Sequence, residues 1–267
     1  MICRRSGGKH DGDGGMGRPT EAGKGLLEAA EVADYLGVGQ VTIYRWCRER
    51  RLPCIKIGKN WRIRREALDD FLRQGEEQNR TLEGQLRSFL VVPDNVIGVA
   101  ETPELLHRLD VAFFKVAEAR GGLLVKFHGH EPASEDELRG EFERDGLEVS
   151  RLEREGRFRF SAEVHPADGR QDALRQILAQ EADTGRTVWV TFDWMEHLDL
   201  GSALRNQEEL TKFVGPRQLV VKTAVLQEVA DNWPSETQRQ AQKLHSGMIW
   251  LSDAGLSLSR VTPLPPE

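Results

Sequence analysis

Apolar residues first recur at helical spacing between Glu28 and Leu36, where Ala29, Ala30, Val32, Ala33 and Leu36 fall together and Gly37 closes the run. After the turn Gly37-Val38-Gly39, a second helix is predicted from Gln40 to about Arg50, with Val41, Ile43, Tyr44 and Trp46 among its residues. Two short helices joined by a tight glycine turn make a helix-turn-helix unit. Pro53 stops the second helix, and Cys54-Ile55-Lys56-Ile57 alternates as a strand. Gly58-Lys59-Asn60 then turns the chain and Trp61-Arg62-Ile63 returns it, so residues 54–63 read as a β-hairpin, or wing. A third helix from near Arg65 carries Ala67, Leu68, Phe71 and Leu72 on one face, enough to close a small core.

The stretch 75–87 is polar, with two glycines and two leucines, and is expected to be a linker with some helical character. Over 88–262 the pattern changes. Apolar runs at Phe89–Val92, Leu123–Phe127, Leu147–Leu152, Phe158–Val164, Val188–Phe192, Leu219–Val221 and Met248–Leu251 read as strands. Helical patterns lie between them at Glu104–Ala119, Glu135–Arg144, Gln171–Ala182, Ala203–Phe213 and around Val225–Leu244. Such alternation predicts a mostly parallel sheet covered by helices on both faces. The fold class expected is therefore α/β overall, with a small winged helix-turn-helix domain over 26–74 ahead of the sheet domain. Eight of the first 25 residues are glycine, which reads as a disordered leader, and the proline-rich 263–267 reads as a tail. No run approaches ~20 apolar residues, so no membrane helix is expected, and a reducing cytoplasm is the default location. Cys3, Cys47 and Cys54 offer neither zinc spacing nor a disulfide framework.

Net charge, −6, argues alone against a nucleic-acid partner, but its distribution reverses that inference. Residues 1–75 hold 15 basic and 10 acidic side chains, while the remainder hold 22 and 33. Within 45–65, Arg45, Arg48, Arg50, Arg51, Lys56, Lys59, Arg62, Arg64 and Arg65 face the single acid Glu49. Nine cations on a second helix and a hairpin form a phosphate-facing footprint.

The segments AAEVADYLGV, VTIYRWCRERRLP and KIGKNWRIRREALDDFL, within Leu26–Leu72, resemble the excisionase-type helix-turn-helix family, a relative of the DNA-binding domains of MerR-type regulators. The resemblance implies that the second helix enters the major groove of double-stranded DNA. Gln40, Thr42, Arg45 and Tyr44 would then meet base edges or phosphates, while Ile43 and Trp46 serve the core. Lys59 at the wing tip, with Lys56, Arg62 and Arg64 on its strands, would grip phosphates or the minor groove, and Arg48 and Arg51 would anchor the backbone. Trp61 is expected to pack the wing on the core.

The sheet domain has no GxxxxGK[ST] or GxGxxG after any predicted strand, and Gly121-Gly122 precedes its strand instead of following it. No nucleotide cofactor is expected, and no catalytic constellation stands out. Strand ends are where α/β domains bind ligands, so His128, His130, Asp193, Trp194 and His197 form a candidate ligand pocket, without a metal. The stretch from about Phe89 to Arg260, through Leu123–His128, LEREGRFRF, Val188-Trp189-Val190-Thr191 with Trp194, and Glu208-Glu209 before Leu219-Val220-Val221, is similar to the MEDS sensory domain. That similarity implies a RecA/KaiC-like core without its phosphate loop, and a role in sensing a small molecule or a protein. The expected function is a non-enzymatic, homodimeric transcriptional regulator that reads DNA. An excisionase-like architectural or recombination factor is the first alternative, and a nucleotide-acting enzyme targeted to DNA is the second.

Overall fold

The computed structural model describes residues 25–128, 134–162, 170–193 and 200–261. The chain forms two compact units that part between Glu76 and Glu77. In the first, β1 (Leu26–Glu28) leads into α1 (Ala29–Leu36) and α2 (Gln40–Arg48). The hairpin β2 (Cys54–Ile57) and β3 (Asn60–Arg64) follows, and α3 (Arg65–Arg80) comes last. A capping box between Glu28 and Glu31 starts α1. Gly37 ends it in the left-handed conformation (φ 65°), which costs glycine no Cβ clash and turns the chain sharply into α2. Leu27, Val32, Ala33, Ile43, Cys47, Leu52, Ile63 and Leu68 form the core, with Trp46, Trp61 and Phe71 packed at its margin.

β1 is an element that the apolar pattern does not predict. Its three residues pair antiparallel with β3, Leu27 opposite Ile63 and Glu28 opposite Arg62, and the sheet order is β1-β3-β2. A bond between Cys47 and Cys54 is a second departure from expectation. The hairpin returns its first strand to the last turn of α2, bringing the two Cα atoms to 5.4 Å; the sequence separation of seven carries no hint of it.

The second unit opens with α4 (Leu82–Phe89), which begins inside the stretch expected to be a linker and runs past its end. Thr81 caps it and Leu86 is wholly buried, so the few apolar residues of that polar stretch sit on one packed face. Then come β4 (Asp94–Ala100), α5 (Pro103–Ala119), β5 (Leu123–His128), α6 (Glu135–Arg144), α7 (Val149–Arg154) and β6 (Phe158–Ala162). The unit continues with α8 (Gln171–Glu181), β7 (Val188–Asp193), α9 (Leu200–Val214), β8 (Leu219–Leu226), α10 (Gln227–Asp231), α11 (Ser235–Lys243), β9 (Gly247–Ser252) and β10 (Gly255–Arg260). Seven strands lie in the order β10-β9-β4-β8-β7-β5-β6, all parallel except the edge strand β10.

Two expected strands are corrected. Phe89–Val92 lies at the end of α4 and the turn beyond it, and the strand starts after Pro93 with two polar residues, Asp94 and Asn95. These are buried because Arg260 donates to both Asp94 carboxylate oxygens (2.7 and 2.9 Å) and the Asn95 amide donates to Thr211 (2.9 Å). Leu147–Leu152 contains the start of α7; Val149 and Leu152, three apart, both point into the core, a spacing that a six-residue run cannot distinguish from a strand.

The helices segregate by face. α5, α6 and α7 pack with Val96, Leu124, Phe158, Trp189 and Val220 on one side, and α8 and α9 pack with Val125, Val190, Phe192 and Val221 on the other. The chain thus leaves β5 toward one face and leaves its neighbour β7 toward the opposite face. Neighbouring strands that part in this way open a crevice at their carboxyl ends.

Candidate nucleic-acid interface

The buried side of α2 is fixed by Ile43 and Cys47, four residues apart, and the opposite side therefore presents Gln40, Val41, Tyr44, Arg45 and Arg48. Gln40 donates from Nε2 to the Tyr44 hydroxyl (2.9 Å), and Arg48 donates from Nε to the Tyr44 carbonyl (3.4 Å), so these three form one row. Thr42 is half-buried at its margin. Arg45 and Arg48 also lie in the last turn, where the helix dipole favours cations. Arg51 lies over the Trp46 ring (5.7 Å) and Lys56 over the Trp61 ring (5.9 Å), which holds each stem while leaving the charge outside. Trp61 is half-buried against the core, in the packing place expected of it.

Lys59 sits in the wing turn next to Gly58, whose φ of 61° makes the tight reversal, and Arg64 is exposed at the end of β3. Among the described residues, Arg45, Arg48, Arg51, Lys56, Lys59 and Arg64 form no ion pair. Arg62 differs. Its guanidinium is 2.8 Å from the Glu28 carboxylate and its side chain only 26% exposed, because the β1–β3 register sets the two residues opposite each other. An acid across the strand leaves Arg62 less free for phosphate than its neighbours. Val41, which is absent from the residues the resemblance implies, shares this face: it is 75% exposed and one turn before Arg45. Its signal was its place opposite Ile43 and Cys47, and an apolar side chain there suits a thymine methyl.

In the larger unit, the candidate ligand pocket is partly described. His128 ends β5, with Nε2 3.2 Å from a Glu135 carboxylate oxygen, and Asp193 ends the adjacent β7. His130, Trp194 and His197 lie outside the described residues. Two cations that the pattern of strands did not single out complete this end of the sheet. Arg170 donates to the Asp193 carbonyl (2.8 Å) across the Phe192 ring, and Lys126 bridges the Asp193 carboxylate (2.8 Å) to that of Asp110 (2.9 Å). Lys222 also pairs with Asp110, which accepts from the Thr191 hydroxyl (2.9 Å) as well.

Lys126, Lys222 and Asp110 are all buried. Burial pushes the Asp110 carboxyl up, but the two ammoniums together outweigh it and hold it well below the usual carboxylate range. Burial likewise disfavours the Lys126 ammonium, and Asp110 with Asp193 reverses this to a raised value. Lys222 is left lowered by burial, which Asp110 only partly offsets. The signal available for this network was a lysine inside each of two apolar strands. A separate cavity of about 80 Å³ lies between β4, β9 and helices α10 and α11, with Trp233 and Trp250 in its wall. No helix among the described residues is long and apolar enough to cross a membrane.

Comparison with known proteins finds one distant structural likeness, two sequence relatives and one family. A solved KaiC-like protein of the archaeon Pyrococcus horikoshii is similar over 62% of this chain and 76% of its own, at 14% identity and a TM-score of 0.46. Two proteins from separate strains of Mycobacterium tuberculosis, both named as inferred DNA-binding proteins, are each 33% identical over 60 residues. Those residues are 22% of this chain and 77% of each relative. The family model described as helix-turn-helix domain matches residues 26–76, the segment that holds α1, α2, the wing and most of α3. Through that segment the chain belongs to the helix-turn-helix domain family.

Proposed function

We propose that the protein is a sequence-specific, DNA-binding transcriptional regulator. The observation that carries this reading is the set of exposed cations on α2 and the β2–β3 hairpin that pair with no acid among the described residues. Such cations displace the counterions condensed on DNA, and their placement on a helix and a wing suits a groove and its flanking phosphates. Arg45, Gln40 and Thr42 are assigned to base edges, and Lys59, Arg64, Arg48 and Arg51 to the backbone. A unit this small reads few base pairs, so two copies on symmetric half-sites are part of the proposal. The larger unit is assigned the detection of a small-molecule or protein signal at the β5–β7 crevice, without catalysis, in a protein that works in the cytoplasm at the nucleoid.

The test is equilibrium binding of the full chain to a labelled DNA duplex across a salt series. Affinity is expected to fall linearly in log–log form, with a slope near −0.9 for each phosphate engaged. Absence of binding at low salt would refute the reading. Mapping bound sites across the genome then separates a local regulator from an architectural protein, and steady ATP turnover would overturn the non-catalytic assignment.

A further inference from the structure

The bond between Cys47 and Cys54 joins the two elements that the proposed reading assigns to DNA. Cys47 lies in the last turn of α2, and Cys54 begins the wing, directly opposite Ile63 of β3. The connection between them is short and held: Arg51 N–H donates to the Trp46 carbonyl (2.9 Å), and Arg50 takes a left-handed φ of 56° unusual for a residue with a Cβ. Cys47 is buried in the core, whereas Cys54 is only partly buried at the core's margin, the less enclosed of the two. The segment between the two cysteines carries Arg48, Arg50 and Arg51 against the single acid Glu49, all four exposed. Reactive cysteines occupy electropositive, partly exposed settings of this kind, and a small anionic thiol such as glutathione is drawn to them. In a compartment where DNA is read, thiols are kept reduced, and the disulfides that form there are transient or redox-sensing.

We propose that Cys47 and Cys54 are a reversible thiol–disulfide site that sets DNA affinity, an inference whose second half rests on the DNA-binding reading above. The reactants are small thiols and their disulfides. In reduction, a thiolate attacks Cys54 Sγ, the S–S bond breaks, and Cys47 leaves as a thiolate that takes up a proton. A second small thiol then attacks the mixed disulfide, releasing Cys54 and one small disulfide, so two electrons and two protons pass to the protein. Oxidation runs the same steps backward from the small disulfide. With the bond made, the wing cations are held at a fixed place relative to α2; with it broken, the wing keeps only its packing and strand pairing.

The experiment uses the full chain with Cys3→Ser, which removes the remaining thiol, equilibrated in buffers of varied glutathione to glutathione-disulfide ratio. Acid quench, alkylation and intact mass count the free thiols, and anisotropy of a fluorescent mixed-sequence duplex reports affinity in the same samples. Pairing is expected as a single two-electron transition, with affinity lower on the reduced side by about tenfold, the scale of losing one or two phosphate contacts near 0.15 M salt. A further Cys54→Ser variant should hold the reduced-side affinity at every ratio. Thiols that never pair, equal affinity on both sides, or redox dependence that survives Cys54→Ser would each overturn the proposal. Pairing with no DNA binding in either state would instead break the DNA-binding reading.

Discussion

Cations are handled in opposite ways by the two units. In the smaller one, Arg45, Arg48, Lys59 and Arg64 stand at the surface, paired with no acid among the described residues. In the larger one, Lys126 and Lys222 are buried with Asp110 between them, and Arg260 is forked onto the buried Asp94. Charge that is balanced internally holds a fold together, and charge that is left over at a surface is available to something else. The acidic balance of the whole chain conceals this division, because it adds the two kinds of cation together.

The largest expected effect comes from breaking the internal balance. Asp110→Ala removes the shared carboxylate of two buried lysines and should cost about 3–5 kcal/mol, read from urea denaturation of the full chain. DNA affinity of whatever remains folded should be unchanged, since the cations proposed to meet DNA are in the other unit.

A pH series probes the same interior. His245 is buried; burial depresses it to about 4, and the bond its Nδ1 donates to the Ala241 carbonyl (2.7 Å) offsets this only in part. The unfolded chain binds its proton near 6.5, so the contribution is complete above that pH and is lost as pH falls from about 6.5 to about 4. The expected loss is about 3 kcal/mol. His245→Gln should remove that part of the acid sensitivity, and an unchanged pH profile would contradict the assignment.

Reducing the Cys47–Cys54 bond is expected to lower the stability of the smaller unit by ~2.5 kcal/mol, from the entropy of a short closed loop, measured as a shift of its thermal transition. The smallest effect on stability, within about 0.5 kcal/mol, is expected for Lys59→Ala with Arg64→Ala. That pair should still sharpen the contrast most, because it lowers the salt dependence of DNA binding by a slope of about 2. Arg62→Ala should change the slope less than either, since Glu28 already faces it.

The smaller unit was legible because each of its signals is local. Helical spacing, Gly37, Pro53 and the Gly58 turn all act within a few residues, and the boundaries of β2 and the start of α3 follow directly. What escaped depends on partners distant in sequence. β1 is three residues with no pattern of their own, defined by β3, and through it Glu28 came to face Arg62. β4 escaped for a similar reason: Asp94 and Asn95 look like loop residues until Arg260, Ser246 and Thr211 arrive to satisfy them. Of the strand ends proposed for a ligand, His128 and Asp193 were legible from the pattern, whereas Lys126 and Arg170 needed the sheet order to bring them there.

That sheet order has a consequence for synthesis. β4 is buried along its whole length, yet both of its neighbours, β8 and β9, lie more than 100 residues further along. At about 5–20 residues per second, the ribosome leaves the apolar segment Val96–Ala100 unpaired for on the order of ten seconds after it is made. The smaller unit, built from neighbouring segments, can be finished during that wait. A chaperone that holds extended apolar chain would therefore find its site on β4, and the yield of soluble protein should respond to how quickly residues 101–226 are translated.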